Sequence, residues 1–172
     1  TYFERELKKA SLSLQMPDSE EMQRQTLRAK AKLTALTSLQ TYMRGRLGMV
    51  IDSTGRDYDM VARHVQYFKA MGYDTYMIFV DTSLENSFAQ NAKRTRKLPK
   101  QLVKNKWSAV HQNKEKYVDL FGDNISLIDN NDQKPISRPV TREIQRFVEE
   151  PVENEAGKAW IQAQLKDKKR TD

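Results

Sequence analysis

Between residues 50 and 56 the chain reads Val-Ile-Asp-Ser-Thr-Gly-Arg, and here side chains able to do chemistry first gather. Asp52 brings a carboxylate, Thr54 a hydroxyl and Arg56 a guanidinium, while Gly55 lets a backbone or ligand approach closely. A guanidinium grips phosphate or carboxylate through paired N–H donors, and a carboxylate orients a hydroxyl. The set therefore suits a hydroxylated or phosphorylated ligand. Taken alone, Asp52 reads as an acid that turns the chain and caps the next helix, and it is Thr54, Gly55 and Arg56 beside it that favour a ligand.

A second group of candidates is Arg94 and Arg96, just past one helix and just before Pro99. Two arginines on a hinge between helices can close over a transferring phosphoryl group and offset its charge; they also fit a basic helix end favoured by the macrodipole. They open a wider basic run. Between Asn91 and Lys116 stand nine basic residues against the single acid Glu115, so the whole +7 balance of the chain sits in that segment. Such a segment attracts polyanions, nucleic acid or nucleotide phosphates, or is a solvated helix face. His64 and His111 have no partner at metal-ligand spacing and read as packing or surface residues, and Trp107 reads as core. No metal-binding motif, Ser-His-Asp set or glycosidase-type carboxylate pair can be argued from spacing. The phosphate-cradling pattern G-x-x-x-x-G-K-[ST] does not occur among the 172 residues.

The elements that must position these residues follow from periodicity. Residues 2–10 read as a short helix ended before Pro17. A second runs from the Asp18/Glu21 capping-box spacing to about Arg44, with Met22, Thr26, Ala29, Leu33, Leu36, Gln40 and Met43 as its inner stripe. "LGMVID" is short and continuously apolar, the mark of a buried strand. A helix follows from Asp57 to Gly72, with Tyr58, Val61, Val65 and Phe68 on one face. "YDTYMIFVD" is a second strand, and Thr82 with Glu85 caps the helix after it. From Pro99 a helix carries Val103, Trp107, Val110, Tyr117 and Phe121 inward. "ISLIDN" is a third strand, and helices at about 139–149 and 155–166 close the chain. Strands alternating with helices predict an α/β fold with a parallel sheet covered on both faces, whose ligands bind beyond the carboxyl ends of the strands. Those ends are the Asp52 turn, Asp81-Thr82, and Asp129 to Asp132.

At 172 residues, 38% hydrophobic and 31% charged, the chain reads as one domain with a modest core. Its segments are a helical stretch 1–44, a βαβ core 45–132 with a basic lid 91–116, and C-terminal helices 133–172. The lack of cysteine and of any apolar run near the roughly 20 residues of a membrane span points to a cytosolic protein with no membrane partner.

The stretches "GRLGMVIDSTGRDYDMVARHV", "KAMGYDTYMIFVDTSLENSFAQNAKRTRKLPKQLVKNKWSAV" and "LFGDNISLIDNND" together resemble the zeta-toxin-like P-loop kinases, in particular the short forms of tailed phages and bacteria. The resemblance covers residues 42–132 well, and "VEEPVENEAGKAWIQAQL" is similar to the C-terminal helical segment of the phage members. It implies a three-layer P-loop NTPase-like sheet flanked by helices, ATP with Mg2+ as phosphoryl donor, and a hydroxyl acceptor, which for the toxins is a UDP-linked amino sugar. Carried over by position, Asp52, Thr54 and Arg56 face the acceptor, Arg94 and Arg96 are the lid arginines, and Asn130 and Asn131 lie where the nucleotide base is expected. Two departures stand out. The family more often has Glu-Gly where this chain has Asp52-Ser53, and in the family pattern the first strand, the phosphate loop and the catalytic aspartate all precede the helix that "TYFERELKKA" resembles. The fold is therefore expected to be incomplete at its N-terminus, and the chain alone inactive as a kinase.

Two readings of function result. One is a small-molecule kinase domain that passes the ATP γ-phosphate to a hydroxyl, in the cytoplasm of a bacterial host. The other is a non-catalytic phage virion or assembly protein of kinase-derived fold, binding nucleic acid or other subunits through residues 91–116.

Overall fold

The computed structural model describes residues 2–13, 18–94, 97–132 and 135–171. Arg96 lies outside them. The residues gather into two compact units: residues 1–53 with 88–100, and residues 54–87 with 101–172.

The first unit is a helical hairpin. α1 (Tyr2–Lys9) and α2 (Glu21–Arg44) run antiparallel, as the order of their contacts shows: the Tyr2 hydroxyl meets Ser38 Oγ at 3.0 Å, Lys30 pairs with Glu6 at 2.9 Å, and the Ser13 N–H donates to Glu20. Leu7 is fully buried between them, with Ala31 and Met43. The expected stripe on α2 is only partly the inner one. Met43 is buried, but Met22, Leu33 and Leu36 are exposed, and the side turned inward carries Arg24 and Ala31. The reason is that α1 is short and polar, so Glu6 draws Lys30 toward it, and the Phe3 ring takes Arg28 on its face at 5.2 Å. A single turn of 3-10 helix, Asp18–Glu20, precedes α2, so the helix starts two residues later than an Asp18 cap suggests, with Glu20 at the cap and no side-chain capping bond.

The expected first strand does not form. Residues 47–54 have no regular structure, and Leu47, Val50 and Ile51 are more than half exposed. Apolar sequence makes a strand only where a neighbour completes the hydrogen-bond ladder, and among the described residues the two strands present pair with each other.

The second unit holds those strands. α3 (Tyr58–Ala70), β1 (Met77–Asp81), α4 (Leu84–Lys93), α5 (Lys100–Gln112), α6 (Lys114–Phe121), β2 (Ile125–Asp129), α7 (Ser137–Glu149) and α8 (Glu155–Thr171) follow in order, α4 beginning here and ending in the first unit. β1 and β2 are parallel, in register from Met77 opposite Ile125 to Asp81 opposite Asp129. The chain is thus a helix-rich α/β protein with a small parallel sheet. Val65, Phe79, Tyr117 and Phe121 form the core under one face of that sheet, with Tyr58, Val61 and Val110 around them. The helix expected to run unbroken from Pro99 is instead two helices, because the chain turns at Asn113. Against β2, α7 offers Glu143, whose carboxylate accepts from Ser126 Oγ at 2.6 Å and from the Tyr76 hydroxyl at 3.1 Å. Those two hydrogen bonds, aided by Arg146, hold the Glu143 carboxyl below the usual range despite its partial burial. α8 docks by its first turn. Asp74 accepts from the N–H groups of Glu153 and Asn154, Asn154 caps the helix, and Gly157 lies so close to Gly72 that a Cβ on it would collide with the Gly72 carbonyl oxygen.

Candidate functional site

The polar turn after the apolar run takes its shape from α6. Gly55 sits at φ +68, the left-handed region that glycine adopts without steric cost. Its carbonyl accepts from the Tyr117 hydroxyl at 2.7 Å, and the next carbonyl, of Arg56, accepts from Asn113 Nδ2 at 2.9 Å. Tyr117 is fully buried and Asn113 nearly so. Burial, then the nearby Asp57 carboxylate, raises the Tyr117 hydroxyl above the ordinary tyrosine range, which keeps it a donor. Asp57 closes the turn by accepting from Met60 N at 3.0 Å, capping α3. Thr54 and Arg56 are exposed, and no hydrogen bond or ion pair engages their side chains among the described residues. Asp52 is likewise exposed and has no side-chain partner among the described residues; it belongs to the first unit and Thr54 to the second.

At the carboxyl end of β1 a second polar cluster forms around Asp81. Its carboxylate meets Lys114 Nζ at 2.6 Å and His111 Nε2 at 2.8 Å. Partial burial works to raise its pKa, but the hydrogen bonds from Lys114 and then His111 outweigh that and leave it lowered. His111 Nδ1 lies 2.9 Å from the carbonyl of Trp107. A carboxylate and a carbonyl both only accept, so both contacts are hydrogen bonds together only when both ring nitrogens carry protons. Trp107 stacks on His111 with centroids 3.9 Å apart and donates its indole N–H to the Thr82 carbonyl at 2.8 Å. His111 thus engages the carboxylate at the strand end rather than being a simple packing or surface residue. Spacing could not reveal this, because 30 residues separate it from Asp81. The expected cap on α4 shifts by one residue: Ser83 Oγ accepts from Asn86 N at 3.2 Å, while the Thr82 hydroxyl is buried with no hydrogen-bond partner among the described residues.

Asn130 and Asn131 follow β2. The Asn130 N–H donates to the Asp81 carbonyl at 2.8 Å, extending the ladder. Asn131 accepts at Oδ1 from Ser83 N at 2.7 Å and donates through Nδ2 to Asp129, and its carbonyl accepts from Asn86. Its polar atoms tie the loop after β2 to the start of α4. Arg94 is exposed in the first unit, on a loop closed at its base by Asn91: Asn91 Nδ2 donates to the Leu98 carbonyl at 2.9 Å, and Leu98 N–H donates back to Asn91 Oδ1 at 3.0 Å. Asn91, Asn113 and Tyr117 are the residues that sequence reasoning missed as site supports. Tyr117 was legible as core, but nothing in its spacing assigns its hydroxyl to Gly55.

Kinase domains of the P-loop kind generally use ATP and Mg2+. Among the described residues no group of three or more His, Asp or Glu side chains could hold a metal ion, and Asn131 has its side chain engaged internally. With no G-x-x-x-x-G-K-[ST] in the sequence, these residues alone do not fit the nucleotide or its metal. No helix among the described residues is long and apolar enough to cross a membrane.

A family model described as an AAA domain matches residues 6–116, well over half of the chain. No curated protein and no solved structure matches. The matched region runs from α1 through the Gly55 turn, β1 and the Arg94 loop into α6, and its parallel strand with flanking helices agrees with a P-loop-like kinase fold. The chain belongs to this AAA-domain family of P-loop NTPase-like kinase domains.

Proposed function

We propose that the chain is the acceptor-binding and lid portion of a zeta-toxin-like kinase, which passes the ATP γ-phosphate to a hydroxyl of a small molecule such as a UDP-linked amino sugar. The observation that carries this reading is the Gly55 turn: its backbone is clamped from below, while Thr54 and Arg56 stand exposed with no side-chain partner among the described residues. Rigid backbone under free polar side chains is the arrangement a binding turn needs, since the ordering cost is met before the ligand arrives. Arg56 holds the acceptor, Thr54 and Asp52 orient its hydroxyl, and Arg94 and Arg96 offset charge developing on the transferred group. The donor site and the strand that would complete a three-layer sheet come from a phosphate-binding segment outside these residues. Titrating the chain with a UDP-linked amino sugar while following amide resonances should shift Thr54, Gly55 and Arg56, and Arg56→Ala should abolish the shifts. Silence of all three resonances at millimolar ligand would sink the acceptor reading. Phosphoryl transfer by the 172-residue chain alone would sink the assignment of the donor site elsewhere.

The basic run favours a second reading, a non-catalytic phage protein that binds nucleic acid. Arg94, Lys97, Lys100 and Lys104 are exposed and make no ion pair among the described residues. If these cations hold phosphates, affinity for an oligonucleotide falls steeply with salt, by a log–log slope of about −0.7 to −0.9 per contact. Affinity indifferent to salt would remove this reading.

A further inference from the structure

We infer that Asn113 and Tyr117 are positioning residues for the acceptor turn, acting through the carbonyls of Gly55 and Arg56; the inference rests on the acceptor reading of that turn. Asn113, at the N-cap position of α6, and Tyr117 lie four apart, so both reach the same side of the helix. Tyr117 donates to the Gly55 carbonyl at 2.7 Å, and Asn113 Nδ2 spans both carbonyls, at 2.9 Å to Arg56 and 3.5 Å to Gly55. In a trans peptide the C=O and the following N–H point opposite ways. Drawing these two carbonyls toward α6 therefore turns the N–H groups of Arg56 and Asp57 away from it.

The core does not need this arrangement. Val65, Phe79 and Phe121 pack on the Tyr117 ring, and a phenylalanine ring would fill the same space without a hydroxyl to satisfy. The Asn113 side chain makes no capping hydrogen bond to α6, and among the described residues its amide nitrogen donates to the turn alone. Both residues are buried, and both polar groups are aimed at two consecutive peptides beside the exposed Arg56. Their effect falls on the conformation of residues 54–57, and through it on the acceptor.

The test compares Tyr117→Phe and Asn113→Ala with Val65→Ala, a core substitution that does not touch the turn. Calorimetry with a UDP-linked amino sugar should show affinity lowered about 5- to 10-fold in the first two, the scale of one net hydrogen bond. Val65→Ala should lower the urea midpoint yet bind as the parent does. Parent-like affinity in both turn variants, or an equal loss in Val65→Ala, overturns the positioning role. If the parent chain binds no sugar nucleotide, the acceptor reading fails on that measurement. The positioning role is then decided by amide exchange alone: faster exchange at residues 54–57 in the two turn variants, beyond that in Val65→Ala, upholds it, and equal exchange in all three overturns it.

Discussion

Asn91 closes the loop carrying Arg94 onto a residue seven positions away, whereas the turn carrying Thr54 and Arg56 is held by side chains 57 to 62 positions further along the chain. Both segments expose polar side chains suited to phosphate chemistry. They differ in what must fold before either has a shape. The loop needs only the end of α4 and the residues leading into α5, so its closure is local and can open without disturbing a core. The turn needs α6 packed under the sheet, so its geometry shares the fate of the second unit.

The sharpest way to break this contrast is Tyr117→Ala. Removing a fully buried aromatic should cost about 3–5 kcal/mol and release the turn together with the core. Trp107 and Trp160 both lie in the second unit, so fluorescence during urea unfolding reads that loss directly. Gly55→Val comes next. At φ +68 a side-chain-bearing residue is strained by about 1–2 kcal/mol, although a Cβ there would meet the Tyr117 ring at an ordinary 3.6 Å. A lowered midpoint with normal far-UV circular dichroism is expected. Asn91→Ala should be the mildest of the substitutions. Hydrogen exchange near Leu98 should quicken, by about 1 kcal/mol of local opening, while the fluorescence midpoint stays put. A midpoint shift as large as that of Gly55→Val would show the loop to be no more local than the turn.

Titration separates the two anchors as well. The Tyr117 hydroxyl donates only while protonated, and its pKa is raised in the folded chain. Its contribution is therefore complete below the unfolded tyrosine value of about 10 and is lost as pH rises through the higher folded value. Tyr117→Phe should flatten that alkaline loss, whereas Asn91 has nothing to titrate. Asp81 behaves in the opposite sense. Its lowered pKa adds stability above the unfolded value of about 3.9 that is lost as pH falls through the folded value, and Asp81→Asn should remove this part of the acid dependence.

Much of the helical layout was legible because its signals are local. Asp57 caps α3 as its position suggests, and Gly72 ends the helix region at φ +90. Strands β1 and β2 fall within the apolar runs that named them. The run at Leu47 carried the same signal and formed no strand, since periodicity and composition describe a segment's willingness to pair and say nothing of the partner. The α2 stripe misled for a related reason. Which side of a helix is inner depends on what packs on it, and the polar face of α1 selected Arg24 and Ala31. The candidate site shows the same division. Asp52, Thr54, Arg56 and Arg94 were visible by residue type, while the supports beneath the turn and the pairing of His111 with Asp81 were not.

Residue type and spacing by themselves determined the Asp57 cap of α3, the concentration of positive charge between Asn91 and Lys116, and the polar character of the turn at Gly55. Those properties depend on a few neighbouring residues and are written in their order. Only the tertiary structure decided that Gly55 and Arg56 give their carbonyls to α6, and that Asp81 is shared by Lys114 and His111. These bonds join residues 30 to 62 positions apart, and a donor so distant in sequence finds its acceptor only once helices and sheet have packed.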